Sequence, residues 1–328
     1  MPWKGEKDPY KIWLSEIILQ QTRVEQGLGY YKKFIEQFPG IKKLASAPDD
    51  KVYKIWEGLG YYNRCKNLLE SARFISNNLD GIFPDTYEEI LQLKGIGTYT
   101  ASAISSFAYN LPHAVVDGNV FRVLSRVFGI NKAIDSTEGK KYFTKLANEL
   151  LDKKKPAVYN QAIMDFGAII CKPVNPDCGE CCFKKHCVAF QKELIIKLPV
   201  KKGKIKIRER WLYYIMMVYR NKIYIKQRTG NDIWKNLYEF ALLETGKKEE
   251  IGFILKQAVK KRYLPANAYT IQHVSPVLYQ MLSHQKISGQ LIKVKLKKAP
   301  TRDELIGITP AELSQYAFPR FINSFLST

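Results

Sequence analysis

The texture of the chain changes once, between residues 192 and 210, and that break limits the folds open to either side of it. Before it, apolar residues recur at helical spacing and few stretches alternate with period two, so residues 8–190 read as a succession of short amphipathic helices. Asp8-Pro9 is a start signal, an N-cap oxygen followed by proline at the first helical position, and Trp13, Ile17 and Val24 continue an apolar face. Further helices are predicted over 49–57, 63–78, 85–93, 98–109, 118–128, 137–151 and 156–169. Leu198-Pro199-Val200-Lys201-Lys202-Gly203-Lys204-Ile205-Lys206 then forms a basic linker. Beyond it the pattern turns to strands, over 211–219, 222–227 and 290–296, with a helix near 248–260. The expectation is an all-α domain over 1–190, a linker over 191–209 and an α+β domain over 210–328. A length of 328 residues fits two domains.

Composition removes several classes. At 46 % hydrophobic residues, wholesale disorder is excluded. No apolar run reaches the roughly 18–20 residues that span a bilayer. Met1-Pro2-Trp3-Lys4-Gly5-Glu6 lacks the apolar core of a signal peptide, so the chain is expected to be soluble and intracellular, with no membrane partner. Of the 52 basic and 31 acidic side chains, 26 and 10 follow residue 190, so most of the net charge of +21 lies in the C-terminal part. Such an excess favours a polyanionic partner, nucleic acid first. A merely lysine-rich surface would give the same count.

Five of the six cysteines crowd into 171–187, as Cys171-x6-Cys178-x2-Cys181-x5-Cys187 with Cys182 beside Cys181. With no secretory signal, disulfides are disfavoured and a four-thiolate metal site fits better. Zinc or an iron–sulfur cluster could occupy it, and spacing alone does not choose. Cys65 and Cys182 read as ordinary small side chains.

Three other places carry chemistry. Leu93-Lys94-Gly95-Ile96-Gly97-Thr98-Tyr99-Thr100-Ala101 lies between two helical patterns; Gly95 and Gly97 permit a tight turn that bares backbone N–H groups to a phosphate. Glu16 shares a helical stripe with Ile12 and Gln20. A carboxylate there could resist ionisation and act as a general acid, or simply be solvated. Asp117 precedes the apolar pattern of Val120, Val123, Leu124 and Val127, where it could cap a helix.

Together these segments resemble a known family. Ser-Glu-x-x-Leu-Gln-Gln-Thr-Arg-Val from Ser15, Gly58-Leu59-Gly60-Tyr61-Tyr62-x-Arg64, the glycine hairpin, Val116-Asp117-Gly118-Asn119-Val120 and the cysteine loop occur in this order in adenine DNA glycosylases of the MutY family, within the helix-hairpin-helix endonuclease III superfamily. The resemblance implies a helix-hairpin-helix glycosylase domain whose loop, through Cys171, Cys178, Cys181 and Cys187, holds a [4Fe–4S] cluster. It implies Glu16 as the acid that protonates adenine and Asp117 as the anion that stabilises the sugar cation, with Tyr99 and Asn119 positioning them. Tyr99 takes the place of the lysine that lyase members use for a Schiff base, which implies a monofunctional enzyme. Gln21, Thr22, Leu59 and Tyr61 are the implied gap-filling and lesion contacts, and Gly95 and Gly97 grip the backbone. Lys4 stands where relatives have an arginine, and Gln161 where some have a glutamate; both fall in the adenine pocket.

The second domain resembles the Nudix-like domain of the same family through Asn236-Leu237-Tyr238-Glu239-Phe240. Residues 230–262 lack the acidic cluster of a Nudix hydrolase, Glu249-Glu250 being isolated, so pyrophosphatase activity is disfavoured. Leu282-Ser283-His284 sits where the family has a Phe-Ser-His loop, so Ser283 and His284 are the implied contacts to 8-oxoguanine. The expected partner is double-stranded DNA with A:8-oxoguanine or A:G mispairs, bound by a monomer in the cytoplasm, on the nucleoid, if the source is bacterial. The competing readings are a glycosylase/lyase acting on oxidised pyrimidines and a DNA-binding relative without catalysis.

Overall fold

The computed structural model describes residues 4–203 and 207–327. The first three residues, 204–206 of the basic linker and residue 328 lie outside the described residues. Among the described residues up to 191 the regular elements are helices: α1 Pro9–Leu19, α2 Val24–Gln37, α3 Ile41–Ala45, α4 Asp49–Trp56, α5 Asn63–Asn78, α6 Tyr87–Gln92, α7 Thr98–Tyr109, α8 Gly118–Phe128, α9 Thr137–Leu150, α10 Pro156–Ile169 and α11 Val188–Gln191. Strands β1 Arg208–Tyr219, β2 Lys222–Gln227, β3 Tyr238–Glu239 and β4 Ala241–Thr245 follow, then α12 Ile251–Lys260. β5 Tyr269–Val274, β6 Leu278–Met281, β7 Gln285–Leu296, β8 Ile306–Ile308 and α13 Arg320–Leu326 complete the chain.

Local chemistry sets the helix ends. The Asp8 side chain accepts from Tyr10 N at 2.9 Å, and Pro9 occupies the first turn, where its missing N–H costs nothing. α1 does not run on to Val24, as its apolar face suggested: Gln21 adopts φ 56°, in the left-handed region, and Val24 instead opens α2. Asp117 caps α8 by accepting from Val120 N at 2.8 Å.

Two compact units result, and their boundary is not a single cut. One comprises Met1–Ser46 and Asn67–Lys204; the other comprises Ala47–Lys66 and Ile205–Thr328. In the first unit Trp13, Leu14 and Ile18 of α1 are fully buried, and α7 supplies the small buried residues Ala101, Ala103 and Ser105. In the second, the eight-stranded sheet among the described residues runs β3-β2-β1-β7-β5, with β4 on β1, β6 on β7 and β8 on β2. β1 and β7 are parallel, with Arg208 opposite Gln285 and Trp211 opposite Ser288. The core beside α12 contains Tyr213, Ile215, Leu243, Ile254, Ala258 and Ile292.

Helix α4 belongs to this second unit through named bonds. Asn236 Nδ2 donates to Tyr53 Oη at 2.7 Å, and Lys54 Nζ donates to the Tyr316 carbonyl at 2.9 Å. Glu57 Oε1 accepts from Phe318 N at 2.8 Å and from Asn323 Nδ2 at 2.9 Å.

Candidate active site

One large cavity in the helical unit gathers Glu16 and Gln21 from the α1 end, Tyr99 from α7, Asp117 and Asn119 from the head of α8, Gln161 from α10, and Lys4. Four segments of sequence separated by many residues thus deliver one set of groups. Burial pushes the Glu16 carboxyl up to about 7, and the nearby charge of Asp117 adds to the rise; a hydrogen bond from the Tyr99 hydroxyl opposes it. Burial likewise raises Asp117, against bonds from Val120 N and from Asn119 Nδ2, the latter at 2.7 Å. Tyr99 is held well above its ordinary value, first by burial and then by Glu16 and Asp117, so it stays a hydroxyl donor.

The scaffold behind these groups includes residues that sequence reasoning did not single out. Asn160 is 1 % exposed: its Oδ1 accepts from Val115 N at 3.0 Å, and its Nδ2 donates to Ser106 Oγ and to the His113 carbonyl, both at 2.9 Å. It thereby fixes the segment that leads into Asp117. Gly167 lets α10 press against α8, since a Cβ there would stand 2.7 Å from Asn119 Cβ. Asp165 lines the same cavity, where its Oδ2 accepts from Lys4 Nζ at 2.7 Å and its Oδ1 from Gln161 Nε2 at 3.0 Å. A signal was available for Asp165, one turn beyond Gln161 on the same helical stripe.

The glycine hairpin joins α6 to α7. Gly95 takes φ 77°, and a side chain there would also run into Asn67. Gly97 is not left-handed; it caps α7 in extended conformation, and no side chain bonds the first N–H groups of that helix as a cap. Thr22 lies in the turn after α1, its hydroxyl 3.3 Å from the Gln20 carbonyl, and it does not line the cavity.

Cys171, Cys178, Cys181 and Cys187 line a second pocket with Val127, Phe166, Ile170 and Phe190. Burial raises the Cys178 thiol, and Cys171 and Cys187 raise it further. Arg126 fastens the loop to α8, donating to the carbonyls of Lys172 at 2.7 Å and Pro173 at 3.0 Å. Among the described residues no group of three or more His, Cys, Asp or Glu side chains is arranged to hold a metal ion. The four cysteines nonetheless share one pocket, which Arg126, Asp177 and Lys184 also line.

Comparison with known proteins follows this geometry. A family model described as HhH-GPD superfamily base excision DNA repair protein matches residues 14–151, and one described as NUDIX domain matches 213–328. Adenine DNA glycosylase from Buchnera aphidicola subsp. Acyrthosiphon pisum is 36 % identical over 291 residues, covering 86 % of this chain and 82 % of the relative. Its counterpart from subsp. Baizongia pistaciae is 39 % identical over 245 residues, covering 73 % and 68 %. The chain belongs to the adenine DNA glycosylase family. The mouse adenine DNA glycosylase is 29 % identical, covering all of this chain and 73 % of the relative. Among solved structures, a thermostable thymine-DNA glycosylase is 33 % identical with a TM-score of 0.55, covering 58 % of this chain and 88 % of that one. A trapped endonuclease III–DNA covalent intermediate, at 20 % identity and a TM-score of 0.52, covers 58 % and 87 % and shares the fold. The expected architecture, a helix-hairpin-helix glycosylase domain followed by a Nudix-like domain, is the one found.

The remaining residues expected from the adenine DNA glycosylase resemblance lie in the second unit. Tyr61 is exposed, and its hydroxyl is 2.9 Å from Ser283 Oγ. Gly58 and Gly60 take positive φ, as glycine does freely, and Tyr61 itself is held in the left-handed region at φ 50°. The Gly60 carbonyl accepts from Trp56 Nε1 at 3.1 Å and Arg64 Nη2 at 3.0 Å, while the Arg64 guanidinium lies over the Tyr61 ring at 5.4 Å. Leu59, by contrast, is 5 % exposed, beneath the loop surface. Ser283 and His284 are exposed just before β7. α12 carries no carboxylate, which leaves the domain without the acidic helix of a Nudix hydrolase.

Proposed function

We propose that this chain hydrolyses the N-glycosidic bond of adenine mispaired with 8-oxoguanine or guanine in duplex DNA, without a lyase step. The observation that carries the reading is a carboxyl raised to about 7, facing a second carboxylate in one cavity, with a tyrosine rather than a lysine between them. Adenine leaves only when its ring is protonated, and Glu16 is protonated for a useful fraction of the time near neutral pH. Departure leaves an oxocarbenium-like sugar. Asp117, held by Asn119 and Val120 N, supplies the facing negative charge, directly or through a transient adduct as in retaining glycosidases. Tyr99 donates to Glu16 and cannot form an imine.

Base choice follows from Asp165. Its Oδ1 accepts from Gln161 Nε2, which leaves the amide Oε1 as an acceptor. An acceptor matches the adenine amino group. Thymine removal is the second reading, which the thymine-DNA glycosylase likeness brings in, and the T:G duplex below decides it. The base must first be flipped from the duplex, at a cost of a few kcal/mol. Gln21, Thr22, Leu59 and Tyr61 would supply the gap-filling and lesion contacts; Gly95 and the α7 N-terminus would hold a phosphate, and Ser283 and His284 would meet the lesion.

Cys171, Cys178, Cys181 and Cys187 would hold the [4Fe–4S] cluster, which when bound fixes a loop too small to have its own core. Lys184 and Lys185 would then present charge to the backbone. We place the enzyme as a monomer with the DNA inside the cell, in the cytoplasm if bacterial. The test is incubation with duplexes containing A:8-oxoguanine, A:G, A:T or T:G, followed by alkali. Breaks at adenine in the first two support the reading; breaks only at thymine, or none, reject it. Borohydride trapping of a Schiff base would reject the monofunctional assignment. A colourless active protein with one zinc would reject the cluster.

A further inference from the structure

The loop that carries Ser283 and His284 ends on Gln285, and Gln285 is not free to move. It is 7 % exposed, and its Oε1 accepts from Arg210 Nη1 at 3.1 Å. Arg210, on β1, is 5 % exposed and uses every N–H it has. Nε and Nη2 grip Glu244 at 2.8 and 2.6 Å, Nη1 and Nη2 grip Asp232 at 3.0 and 3.1 Å, and the remaining Nη1 proton meets Gln285. The backbone adds Arg208 N to the His284 carbonyl at 3.0 Å and Leu282 N to the Gln285 carbonyl at 2.8 Å.

The same network reaches the tyrosine loop from the other side. Asp232 also takes a bond from Arg228, within the segment that ends at Asn236. Asn236 bonds Tyr53 of α4, and the chain runs from α4 into Tyr61, whose hydroxyl meets Ser283. The two exposed loops therefore meet at their tips, while Arg210 bonds Gln285 directly at the base of one and is linked to the other only through the segment from Asp232 to Asn236 and Tyr53.

We infer that Arg210, acting through Gln285, is a positioning residue for lesion discrimination: it fixes the Ser283–His284 loop at the height where it reads the base opposite the excised adenine. Arg210 touches no DNA in this role. Five satisfied donors in a rigid fork are what a lysine could not supply. The inference rests on the reading of Ser283 as a lesion contact, so the experiment separates the two.

The full chain is assayed with A:8-oxoguanine and A:G duplexes as wild type, Ser283→Ala, Gln285→Leu and Gln285→Glu, with thermal melting alongside. Gln285→Leu removes the acceptor while Arg210 keeps both carboxylates; Gln285→Glu keeps an acceptor. The expected result is a fall in the A:8-oxoguanine to A:G ratio of roughly three- to tenfold for Gln285→Leu, the worth of about one hydrogen bond, with A:G turnover unchanged and the ratio restored in Gln285→Glu. A ratio unmoved by Gln285→Leu, although Ser283→Ala lowers it, overturns the inference and leaves the reading standing. Loss of both activities together, without rescue by glutamate, also overturns it, because that is general unfolding. A ratio unmoved by Ser283→Ala overturns the reading, and the inference with it. Arg210→Lys, expected to behave as Gln285→Leu, is the second variant.

Discussion

Two carboxylates show how differently the two units treat buried charge. Glu16 in the helical unit has a hydroxyl donor and a second carboxylate for neighbours, and burial raises it to about 7. Asp232 in the C-terminal unit is also pulled upward by burial. Bonds from Arg210 and from Ile233 N, with the charge of Arg228, more than offset that and hold it below its usual value. An uncompensated carboxyl exchanges a proton near neutral pH and can do chemistry; a fully paired one cannot, and serves as a rigid post. The difference lies in the neighbours, not in the residue type.

The contrast can be broken most severely at Glu16. Glu16→Gln should lower adenine release by about 10²–10⁴-fold while binding to a substrate-analogue duplex persists, measured by alkali-revealed abasic sites and by gel shift. Turnover within tenfold of wild type would mean that the raised carboxyl is not the acid. Asp232→Ala should leave chemistry on A:G intact and cost stability instead. Two buried guanidiniums lose a shared partner, so unfolding in denaturant should weaken by about 3–5 kcal/mol. A change under 1 kcal/mol would show the network to be weakly coupled.

The same Glu16→Gln protein sharpens the comparison through pH. A carboxyl whose folded pKa lies above its unfolded value adds a proton on folding, so its ionisation destabilises the fold as pH rises from about 4.5 through about 7. At pH 8 the amide should therefore be more stable than wild type, by up to about 3 kcal/mol, and at pH 4 the two should melt alike. Asp232 has the opposite slope: its stabilisation is present above the unfolded pKa and is lost on acidification. The smallest effect belongs to Tyr99→Phe. Removing the hydroxyl that favours ionised Glu16 should move the alkaline limb of the pH–rate profile upward by roughly half to one unit. A limb that moves down would reverse the assigned direction.

Much of the helical unit was legible in the sequence because its signals are local. α5, α7, α8 and α10 begin and end where the helical periodicity places them. β1 and β7 were found but shortened, since their first residues, Arg208 to Arg210 and Gln285 to Gly289, include charged and polar side chains whose burial is explained only by partners on other strands. β3, β6 and β8 run two to four residues, too short to show any period. In the candidate site, Glu16, Tyr99, Asp117 and Asn119 stood out by motif, whereas Asp165 in the cavity and Asn160 and Gly167 behind it did not. Their roles are set by contacts such as Asn160 to Val115, 45 residues apart, which no window along the chain contains.

Helix α4 also carries a consequence for how the molecule is made. Glu57 is synthesised 261 residues before Phe318, the backbone partner that closes over it. At roughly 5–20 residues per second, the segment 47–66 waits on the order of ten to fifty seconds outside the ribosome before its unit can exist. During that interval Tyr53, buried in the finished protein, still lacks its partner Asn236. The first unit is interrupted by this same segment, yet its remaining pieces are complete more than a hundred residues earlier. Early in its life the nascent chain thus holds the pieces of one finished unit beside a segment that still waits for its own, and Tyr61 is among the last residues to be secured.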